Sequence, residues 1–428
     1  MNYVLIVGMG KSGLAVYKNL LSRGTIPIFY DDNNLELDGL ERYVINAEYI
    51  VVSPSISPQH LIFKFAKFYK KKIIGEVEYA YLSVIRNSCI IGITGTNGKT
   101  TVTTMLGHIF GTSESTICGN VGIPATDVIM HKKAINVIEL SSFQLMTIDK
   151  FKPNIACILN IAPDHIDYHG SYSEYIRCKM KITKNLTKND FLVINSDDIK
   201  LNQIKSIAKV KRFSIKDKNA DCIYDGKSIF LNINGKRQFV LDVALFGEIL
   251  EHNIQNILAV LTILNCINKN IERAVSKLLT YQYQPYRMKY VGKKNGIIVY
   301  NDSKSTNVAS TISAMNSLKK YKSISLILGG RYKKESFRDI FSKFSNIAEV
   351  LIFGESKKEI YSDAMILGQK NIKVCNSLEE VVIEVSKTKA QVILFSPGCA
   401  SFDMFTGYMQ RGEVFEKLMN KYFFNKSY

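Results

Sequence analysis

The sequence predicts an α/β protein of three domains, and three observations lead to that prediction. Short runs of β-branched and apolar residues, each the length of a buried strand, alternate with segments of helical periodicity. Two of these runs end in glycine-rich turns, at residues 8–13 and 95–101. The chain has 428 residues, which is more than one ordinary domain needs. We therefore expect domains at residues 1–86, 87–282 and 283–428.

The composition excludes several classes of protein. A net charge of +18 raises nucleic acid as a partner, but the lysines are spread along the chain and are not interleaved with aromatic residues, so no nucleic acid is expected. The apolar runs are strand-sized and interrupted, which predicts neither a membrane span nor a signal peptide. Eight cysteines without a CxxC pair indicate reduced thiols. These features predict a cytoplasmic protein, and we expect a monomer because no interaction surface can be recognised.

The first region has the pattern of a Rossmann-like unit. Strand Tyr3–Val7 runs into GMGKSG and an apolar helix, and a second strand at residues 26–30 ends in Asp31 and Asp32. An acid about 20 residues after such glycines is the fingerprint of a ribose-binding unit. A tight strand-to-helix turn needs the same glycines, and this alternative stays open. Because the region offers no acid–base chemistry, we expect it to bind a ligand rather than to catalyse a reaction.

The central region is organised around IGITGTNGKTTVTTM at residues 91–105. A buried strand, a glycine-rich turn and a helix together make a phosphate cradle, in which Lys99 supplies a charge and Thr100 a hydroxyl for Mg²⁺. The loop is shorter than GxxxxGK[ST], because Ile93 stands where the first glycine belongs. We predict a P-loop ATPase-type α/β domain. Its nucleotide-binding residues are predicted to be Gly95, Thr96, Asn97, Gly98, Lys99, Thr100 and Thr101.

Further features of the central region could serve this loop. Glu139 ends a buried strand, where an acid for Mg²⁺ is needed. The segment PDHIDYH at residues 163–169 is dense in metal ligands, although a solvated polar loop explains it equally well. Lys179 lies on a helix, where a lysine is ordinarily solvated, and the pattern gives it no role. Asn253 and Asn256 lie on a polar helix face that could hold the edge of a base.

The last region again alternates strands and helices, which predicts a Rossmann-like α/β domain with a parallel sheet. Buried strands end at Tyr300, Leu328 and Phe395, and each is followed by a polar or glycine-rich loop. Ligands bind beyond the carboxyl ends of such strands, so these three loops are predicted to form one edge of a site. The loop after Tyr300 carries the polar run NDSKSTN, which is costly to bury unless it meets a ligand or another domain.

Eight motifs make the chain resemble the Mur ligase family over nearly its whole length, and within it the members that add D-glutamate. They are GTNGKTT, CGNVGIPA, IELSSFQL, NIAPDHIDYHGSYSEYIRCKMKI, PYRM, NDSKSTNVAST, LILGG and SPGCASFDMFTGYMQRG. The resemblance implies UDP-binding, ATPase and amino-acid-binding domains in that order. It also implies transfer of the ATP γ-phosphate to the carboxylate of UDP-N-acetylmuramoyl-L-alanine, and attack of the D-glutamate amine on the resulting acyl phosphate. The implied cofactors are ATP and two Mg²⁺ ions.

The resemblance implies catalytic and metal-binding roles position by position. Lys179 matches a lysine that is carbamylated in the family, which would turn a cation into a carboxylate-like anion. The implied catalytic residues are Lys99, His165, Lys179 and Lys304. The implied metal ligands are Thr100, Glu139, His165 and Lys179.

The resemblance assigns the ligands in the same way. Asn253 and Asn256 match adenine contacts, and three C-terminal residues match groups that reach the ATP: Arg287, Asp302 and Lys304. The positions that match the UDP contacts are Gly10, Lys11, Ser12, Asp31 and Asp32. The positions on the muramoyl-alanine side are Asn120 and His165, and Ser142 is a further substrate-binding position. The positions of the D-glutamate pocket are Thr306, Lys333, Ser401, Phe402 and Tyr408. The run RYKK at residues 331–334 departs from the family pattern, so Lys333 and Lys334 remain alternatives.

Three rival functions remain. The nearest is a sister ligase that adds L-alanine or a diamino acid, or a folylpolyglutamate synthetase. The Asn-Pro-Arg signature of the diamino-acid ligases is not visible, and SPGCASFDMF favours D-glutamate. A nucleotide-binding oxidoreductase would explain GMGKSG and Asp31, but it leaves GTNGKTT and His165 unexplained. A nucleic-acid-binding NTPase rests on the net charge alone.

Overall fold

A computed structural model describes residues 3–31, 39–130, 133–247, 249–283, 285–332 and 335–425. The chain divides into two compact units, Met1–Tyr281 and Gln282–Tyr428. The first unit contains two sheets and the second contains one. The α/β class is confirmed, whereas the division into three domains stays a prediction. Three residues of the predicted site lie outside the described residues: Asp32, Lys333 and Lys334.

A four-stranded parallel sheet begins the first unit, in the order β2-β1-β3-β4. Its strands are β1 Tyr3–Val7, β2 Pro27–Tyr30, β3 Ala47–Val52 and β4 Ile73–Gly75. Its helices are α1 Lys11–Ser22, α2 Leu40–Asn46, α3 Leu61–Phe68 and α4 Glu76–Ala80, followed by a π-helical turn at Tyr81–Ile85. Alternate side chains of β1 enter two different apolar clusters, because helices cover both faces of the sheet. The predicted Rossmann-like pattern of strands is confirmed.

A nine-stranded sheet completes the first unit, in the order β13-β12-β11-β10-β9-β8-β5-β7-β6. Its strands are β5 Cys89–Thr94, β6 Ser115–Gly119, β7 Ile135–Glu139, β8 Ile155–Ile158, β9 Phe191–Asn195, β10 Lys209–Ser214, β11 Cys222–Tyr224, β12 Ser228–Ile233 and β13 Lys236–Asp242. Its helices are α5 Lys99–Glu114, α6 Ser142–Met146, α7 Ile166–His169, α8 Tyr172–Met180, α9 Ile199–Asn202, α10 Glu251–Cys266 and α11 Ile271–Leu279. Short 3₁₀ segments lie at Ala125–Met130, Lys181–Thr183 and Val243–Phe246.

The position of β5 in this sheet determines what surrounds the predicted phosphate loop. Strand β5 pairs in parallel with β7 on one side and with β8 on the other. The carboxyl ends of all three strands therefore lie at one edge of the sheet. Glu139 at the end of β7 and Asn160 just past β8 flank the loop that follows β5.

A six-stranded sheet forms the second unit, in the order β14-β15-β19-β16-β17-β18. Its strands are β14 Lys289–Lys294, β15 Ile297–Asn301, β16 Ile324–Gly329, β17 Ile347–Phe353, β18 Ile372–Val374 and β19 Val392–Phe395. Its helices are α12 Val308–Ser317, α13 Arg338–Lys343, α14 Lys357–Ile366, α15 Leu378–Val385 and α16 Tyr408–Met419, with a π-helical turn at Asn420–Phe424. Strand β19 lies in parallel between β15 and β16, so the three loops predicted to share an edge do share one.

Strand β14 is absent from the sequence prediction. It pairs antiparallel with β15 through a two-residue turn, in which Asn295 and Gly296 both have positive φ. Asn-Gly is the preferred pair for such a turn. The lysines of KYVGKK obscure the alternation that would otherwise indicate a strand, because an edge strand exposes much of its length. Within the ranges described above, no helix has both the length and the apolar content to cross a membrane.

Candidate active site

The loop after β5 has the geometry of a phosphate cradle. Helix α5 begins at Lys99 directly after Gly98, whose φ of +86° is rare for residues with a side chain. A Cβ at Gly98 would lie 2.4 Å from Oδ1 of Asn256, so the approach of α10 also requires glycine. The Asn97 N–H donates to Oδ1 of Asn160 over 2.8 Å, which holds the loop against the segment after β8. The predicted strand, turn and helix are confirmed, and a helix N-terminus of this kind favours an anion.

Two lysine side chains meet at one carbonyl of this loop. Lys99 Nζ donates to Gly95 O over 2.8 Å and to Thr96 O over 2.9 Å. Lys179 Nζ donates to the same Gly95 O over 2.7 Å, from the last turn of α8. The charge of Lys99 beside the N-terminus of α5 suits this loop to a polyanionic ligand.

Burial changes the chemistry of Lys179. This residue is only 1% exposed, and its Nζ lies 4.7 Å from the ring centroid of Tyr175. Burial first, and then the charge of Lys99, holds the pKa of Lys179 well below its ordinary value. The charges of Asp164 and Glu139 act in the opposite direction. The amine is therefore held towards its neutral, nucleophilic form.

Glu139 meets the requirements of a metal ligand. Its Oε1 accepts a hydrogen bond from Asn120 Nδ2 over 2.7 Å. Its Oε2 is buried and has no hydrogen-bond partner among the described residues. A buried carboxylate oxygen is costly to leave unpaired, so a ligand is expected there. Because Mg²⁺ takes carboxylate, water and phosphate oxygens, Glu139 and the Thr100 hydroxyl at the start of α5 fit this ion.

The two histidines in residues 163–169, after β8, make different contacts. His165 has a φ of +50°, and its Nε2 lies 3.5 Å from Asp164 Oδ2. His169 turns inward, and its buried Nε2 lies 3.0 Å from Ser142 Oγ. The Asp167 side chain lies outside the part of the structure that is described. Within the described ranges, no three His, Cys, Asp or Glu side chains are grouped to hold a metal, so the segment forms no single cluster.

Helix α10 brings one of the two predicted base contacts to the loop. Asn256 is buried beside Gly98, and Asn253 lies half-buried three residues earlier. Residues three apart share one face of a helix. Thr101 is buried in the first turn of α5.

The glycine-rich turn of the first sheet is closed by an acid. Asp31, just past β2, accepts the Met9 N–H at Oδ2 over 3.1 Å. In a dinucleotide-binding unit, backbone N–H groups of this turn face a phosphate, whereas here one of them faces a carboxylate. The other predicted residues of this turn are exposed or half-buried: Gly10, Lys11 and Ser12.

Asp302 joins two loops at the edge of the third sheet. Its Oδ1 accepts the Met288 N–H over 3.0 Å, and its Oδ2 accepts hydrogen bonds from the hydroxyls of Ser305 and Ser396. Burial raises the pKa of this carboxyl to about 6. Both oxygens are used inside the second unit, so Asp302 organises the loops after β15 and β19.

Other predicted residues lie along the same edge of the third sheet. Lys304 Nζ lies 5.9 Å from the ring centroid of Tyr408, the first residue of α16. Ser401 is buried in the loop after β19, whereas its neighbour Phe402 is 64% exposed. Two further predicted residues are half-buried: Arg287 and Thr306.

Arg411 on α16 is a fully buried cation for which the sequence pattern predicts no role. Its guanidinium donates to Ser303 Oγ over 3.1 Å, to Ser303 O over 2.8 Å and to Cys399 O over 3.0 Å. A further N–H points to Gly329 O at 3.4 Å. One side chain therefore joins the loops after β15 and β19 to the end of β16. The sequence offered little signal, since an arginine on an amphipathic helix is usually a solvated charge.

Comparison with known proteins gives matches along the whole chain. The family model described as Mur ligase middle domain matches residues 93–264, and the one described as Mur ligase, glutamate ligase domain matches residues 286–399. The UDP-N-acetylmuramoylalanine--D-glutamate ligase of Caldicellulosiruptor saccharolyticus is 33% identical over 452 residues, covering 98% of each chain. The protein of that name in Clostridioides difficile is 34% identical, covering 97% of this chain and 98% of its own.

Solved structures share the fold at lower identity. The UDP-N-acetylmuramate-alanine ligase of Thermotoga maritima has a TM-score of 0.58 at 19% identity, covering 98% of this chain and 99% of its own. A pseudomurein peptide ligase of Methanothermus fervidus has a TM-score of 0.61 at 17% identity, covering 97% of this chain and 100% of its own. Because curated relatives above 30% identity match from end to end, the chain belongs to the Mur ligase family.

Proposed function

We propose that this protein joins D-glutamate to UDP-N-acetylmuramoyl-L-alanine with conversion of ATP to ADP and phosphate, in peptidoglycan precursor synthesis. The relatives that match from end to end bear the name of that activity. The observation that carries the proposal is the meeting of Lys99, Lys179 and Glu139 at one phosphate loop. A cation, a helix N-terminus and an acid able to hold Mg²⁺ at one loop suit phosphoryl transfer to a carboxylate.

In the first step, the alanyl carboxylate would attack the γ-phosphorus and ADP would leave, giving an acyl phosphate. Two anions must approach each other, so the site has to compensate their charge. Lys99 Nζ would exchange its carbonyl acceptors for phosphate oxygens, and the N-terminus of α5 would face the same oxygens. Thr100, Glu139 and His165 would hold two Mg²⁺ ions, which supply charge neutralisation when bound.

We propose that Lys179 carries a carbamate. The neutral amine would attack carbon dioxide, an N–C bond would form and one proton would leave, giving a carboxylate-like anion. The low pKa of Lys179 supports this step, because only the neutral amine has the lone pair that reacts. The product would place an anion beside the Lys99 cation at the phosphate loop.

In the second step, the amine of D-glutamate would attack the acyl phosphate, and phosphate would leave with formation of the amide bond. We propose that D-glutamate binds at the edge of the third sheet, where Asp302 and Arg411 organise the loops. The residues assigned to it are Thr306, Lys333, Ser401, Phe402 and Tyr408. The assignment of Arg287, Asp302 and Lys304 to ATP stays a prediction.

We propose that the first sheet binds the UDP part of the substrate. Asp31 accepts the Met9 N–H, so the acid after β2 is held against the glycine-rich turn. An oxidoreductase is disfavoured, because relatives named as ligases match the chain from end to end. We also propose that the protein acts in the cytoplasm, where ATP is available, and as a monomer, which sedimentation of the purified chain would test.

The decisive experiment is phosphate release from ATP and Mg²⁺ with single amino acids added in turn. With UDP-N-acetylmuramoyl-L-alanine as acceptor, we expect release only with D-glutamate, and a product heavier by one glutamyl residue. Release with L-alanine on UDP-N-acetylmuramate, or with a diamino acid on the longer peptide, would assign a sister ligase instead. Lys99→Ala is expected to abolish release, and its normal turnover would refute the role of the phosphate loop.

A further inference from the structure

A tyrosine after β8 fastens a turn of the first sheet to the candidate active site. Tyr168 lies on α7, and its hydroxyl donates to Ile56 O over 2.8 Å and lies 3.3 Å from Pro54 O. Both acceptors belong to residues 53–57, which follow β3 and which we name the β3 turn. One phenol therefore bridges the first and second sheets of the first unit.

The β3 turn lies at the ligand-facing edge of the first sheet. Strand β3 pairs in parallel with β1, so the β3 turn and the GMGKSG turn leave the same edge. Ser53 Oγ donates to Gly8 O over 3.0 Å. A Cβ at Gly8 would lie 2.9 Å from Ser53 and 3.4 Å from the Ile56 side chain. The β3 turn is thus packed directly on the turn proposed to hold UDP.

The ring of Tyr168 packs against aromatic residues of the candidate active site. It packs on Phe143 with a centroid distance of 4.2 Å, and Phe143 meets the ring of His165 at 4.8 Å. The ring of His169 stacks on the same Phe143 at 5.5 Å. Burial raises the pKa of Tyr168 to about 12, so its hydroxyl keeps the proton that it donates.

We infer that Tyr168 is a positioning residue, which sets the distance between the nucleotide end of the sugar-nucleotide substrate and the centre where its carboxylate is activated. The inference rests on the proposed function. The substrate would be held by its nucleotide at one sheet while its carboxylate reacts at the other. A misplacement of about 1 Å can lower such a rate by about 100-fold, even when no group at the chemistry is lost.

The test compares two tyrosine-to-phenylalanine variants of the full chain. Tyr168→Phe removes the donor and keeps the ring on Phe143. Tyr3→Phe is the matched control, because Tyr3 also donates to a carbonyl, Tyr43 O, over 2.9 Å, but at the opposite end of β1. We expect kcat/KM for UDP-N-acetylmuramoyl-L-alanine to fall about tenfold in Tyr168→Phe only, with KM for ATP unchanged. A rise in KM for ATP as large as the change for UDP-N-acetylmuramoyl-L-alanine would indicate a merely structural role and overturn the inference.

A second measurement does not depend on activity. Hydrogen exchange of the ligand-free proteins should be faster across residues 53–60 in Tyr168→Phe than in the wild type and Tyr3→Phe. Unchanged exchange would overturn the bridge, and faster exchange with wild-type kinetics would overturn the positioning role. A wild-type protein without ligase activity would instead refute the proposed function, and exchange would still decide whether the bridge exists.

Discussion

Three buried charged residues show how burial shapes the candidate sites, and each responds differently. Lys179 is held towards its neutral form, because burial and Lys99 both penalise its proton. Glu139 keeps one buried oxygen without a partner among the described residues, which leaves it available to a cation. Arg411 stays protonated, since burial lowers its pKa only to about 10, and it is satisfied by backbone oxygens. The same physical cause thus yields a candidate nucleophile, a candidate metal ligand and a structural crosslink.

Replacement of Lys179 tests the carbamate. We expect Lys179→Ala to lose ATP-dependent phosphate release and to regain part of it with a small added carboxylate, because the vacated space can admit an anion. Lys179→Arg should not be rescued, since the guanidinium stays charged and fills the space. A carbamate signal in ¹³C NMR after labelling with bicarbonate should appear in the wild type and vanish in both variants.

Lys181 on the neighbouring turn provides the control for this series. Its Nζ donates to Met146 O, and burial also lowers its pKa, but it is not bonded to the phosphate loop. Lys181→Ala should therefore keep both the carbamate signal and turnover. Equal activity in the wild type and in both Lys179 variants would contradict the carbamate.

At the scale of elements, the join between β5 and α5 places the candidate site. Strand β5 lies between β7 and β8, so the phosphate loop receives Glu139 from one neighbour and Asn160 from the other. Helix α10 closes the loop from a third direction, where Asn256 touches Gly98. The loop geometry is therefore specified by β7, β8 and α10 as well as by its own sequence.

Gly98→Ala tests that geometry. The alanine would have to adopt a φ of +86°, and its Cβ would lie 2.4 Å from Asn256 Oδ1. We therefore expect the affinity for a non-hydrolysable ATP analogue to fall by at least about tenfold. Calorimetric titration measures this change. Gly24→Ala is the control, because Gly24 has a φ of +72° with no heavy atom near its Cβ position. It should lose about 1 kcal/mol of unfolding free energy and keep its affinity for the analogue. Unchanged affinity in Gly98→Ala would show that the loop tolerates a side chain.

At the scale of the whole molecule, buried acids join the two sheets of the first unit. Glu76 follows β4, and its Oε1 accepts hydrogen bonds from both the N–H and the hydroxyl of Thr126, at 2.6 and 2.7 Å. Glu78, two residues later in α4, accepts the N–H groups of Asp149, Lys150 and Phe151. The segments on the two sides of the predicted boundary near residue 86 are therefore joined by buried hydrogen bonds of these two side chains.

Glu76 makes the stability of this junction depend on pH. Burial raises its pKa from 4.5 to about 7, so the folded protein binds this proton more tightly than the unfolded chain. The unfolding free energy contributed by Glu76 must then fall as the pH rises from 4.5 to about 7. We expect Glu76→Gln to remove this dependence, with a difference of up to about 3 kcal/mol between the two ends of the range. Urea unfolding at pH 5 and pH 8 measures it.

Glu78→Gln is the comparison for this experiment. In this variant an NH₂ group replaces one carboxylate oxygen and faces backbone N–H groups, which are also donors. The hydrogen bonds to that oxygen are lost, so the variant should be destabilised at both pH values. A wild-type slope that persists in Glu76→Gln would assign the pH dependence to another group.

The sequence by itself determined the local features of this protein. The α/β class, the strand–turn–helix at Gly95–Thr101, the acid at the end of β7 and the shared edge of three C-terminal loops all follow from short-range patterns. Glycine-rich turns and β-branched runs act over a few residues, so they can be recognised without the fold.

Only the tertiary structure decided which charges are buried and what they meet. Lys179 and Gly95 O are 84 residues apart in the chain, and Arg411 reaches Ser303 O across 108 residues. His169 turns inward to Ser142, although its spacing made it as good a metal ligand as His165. The burial and the pKa of a side chain depend on neighbours that the fold brings from distant segments, and the local spacing of polar residues cannot predict those neighbours.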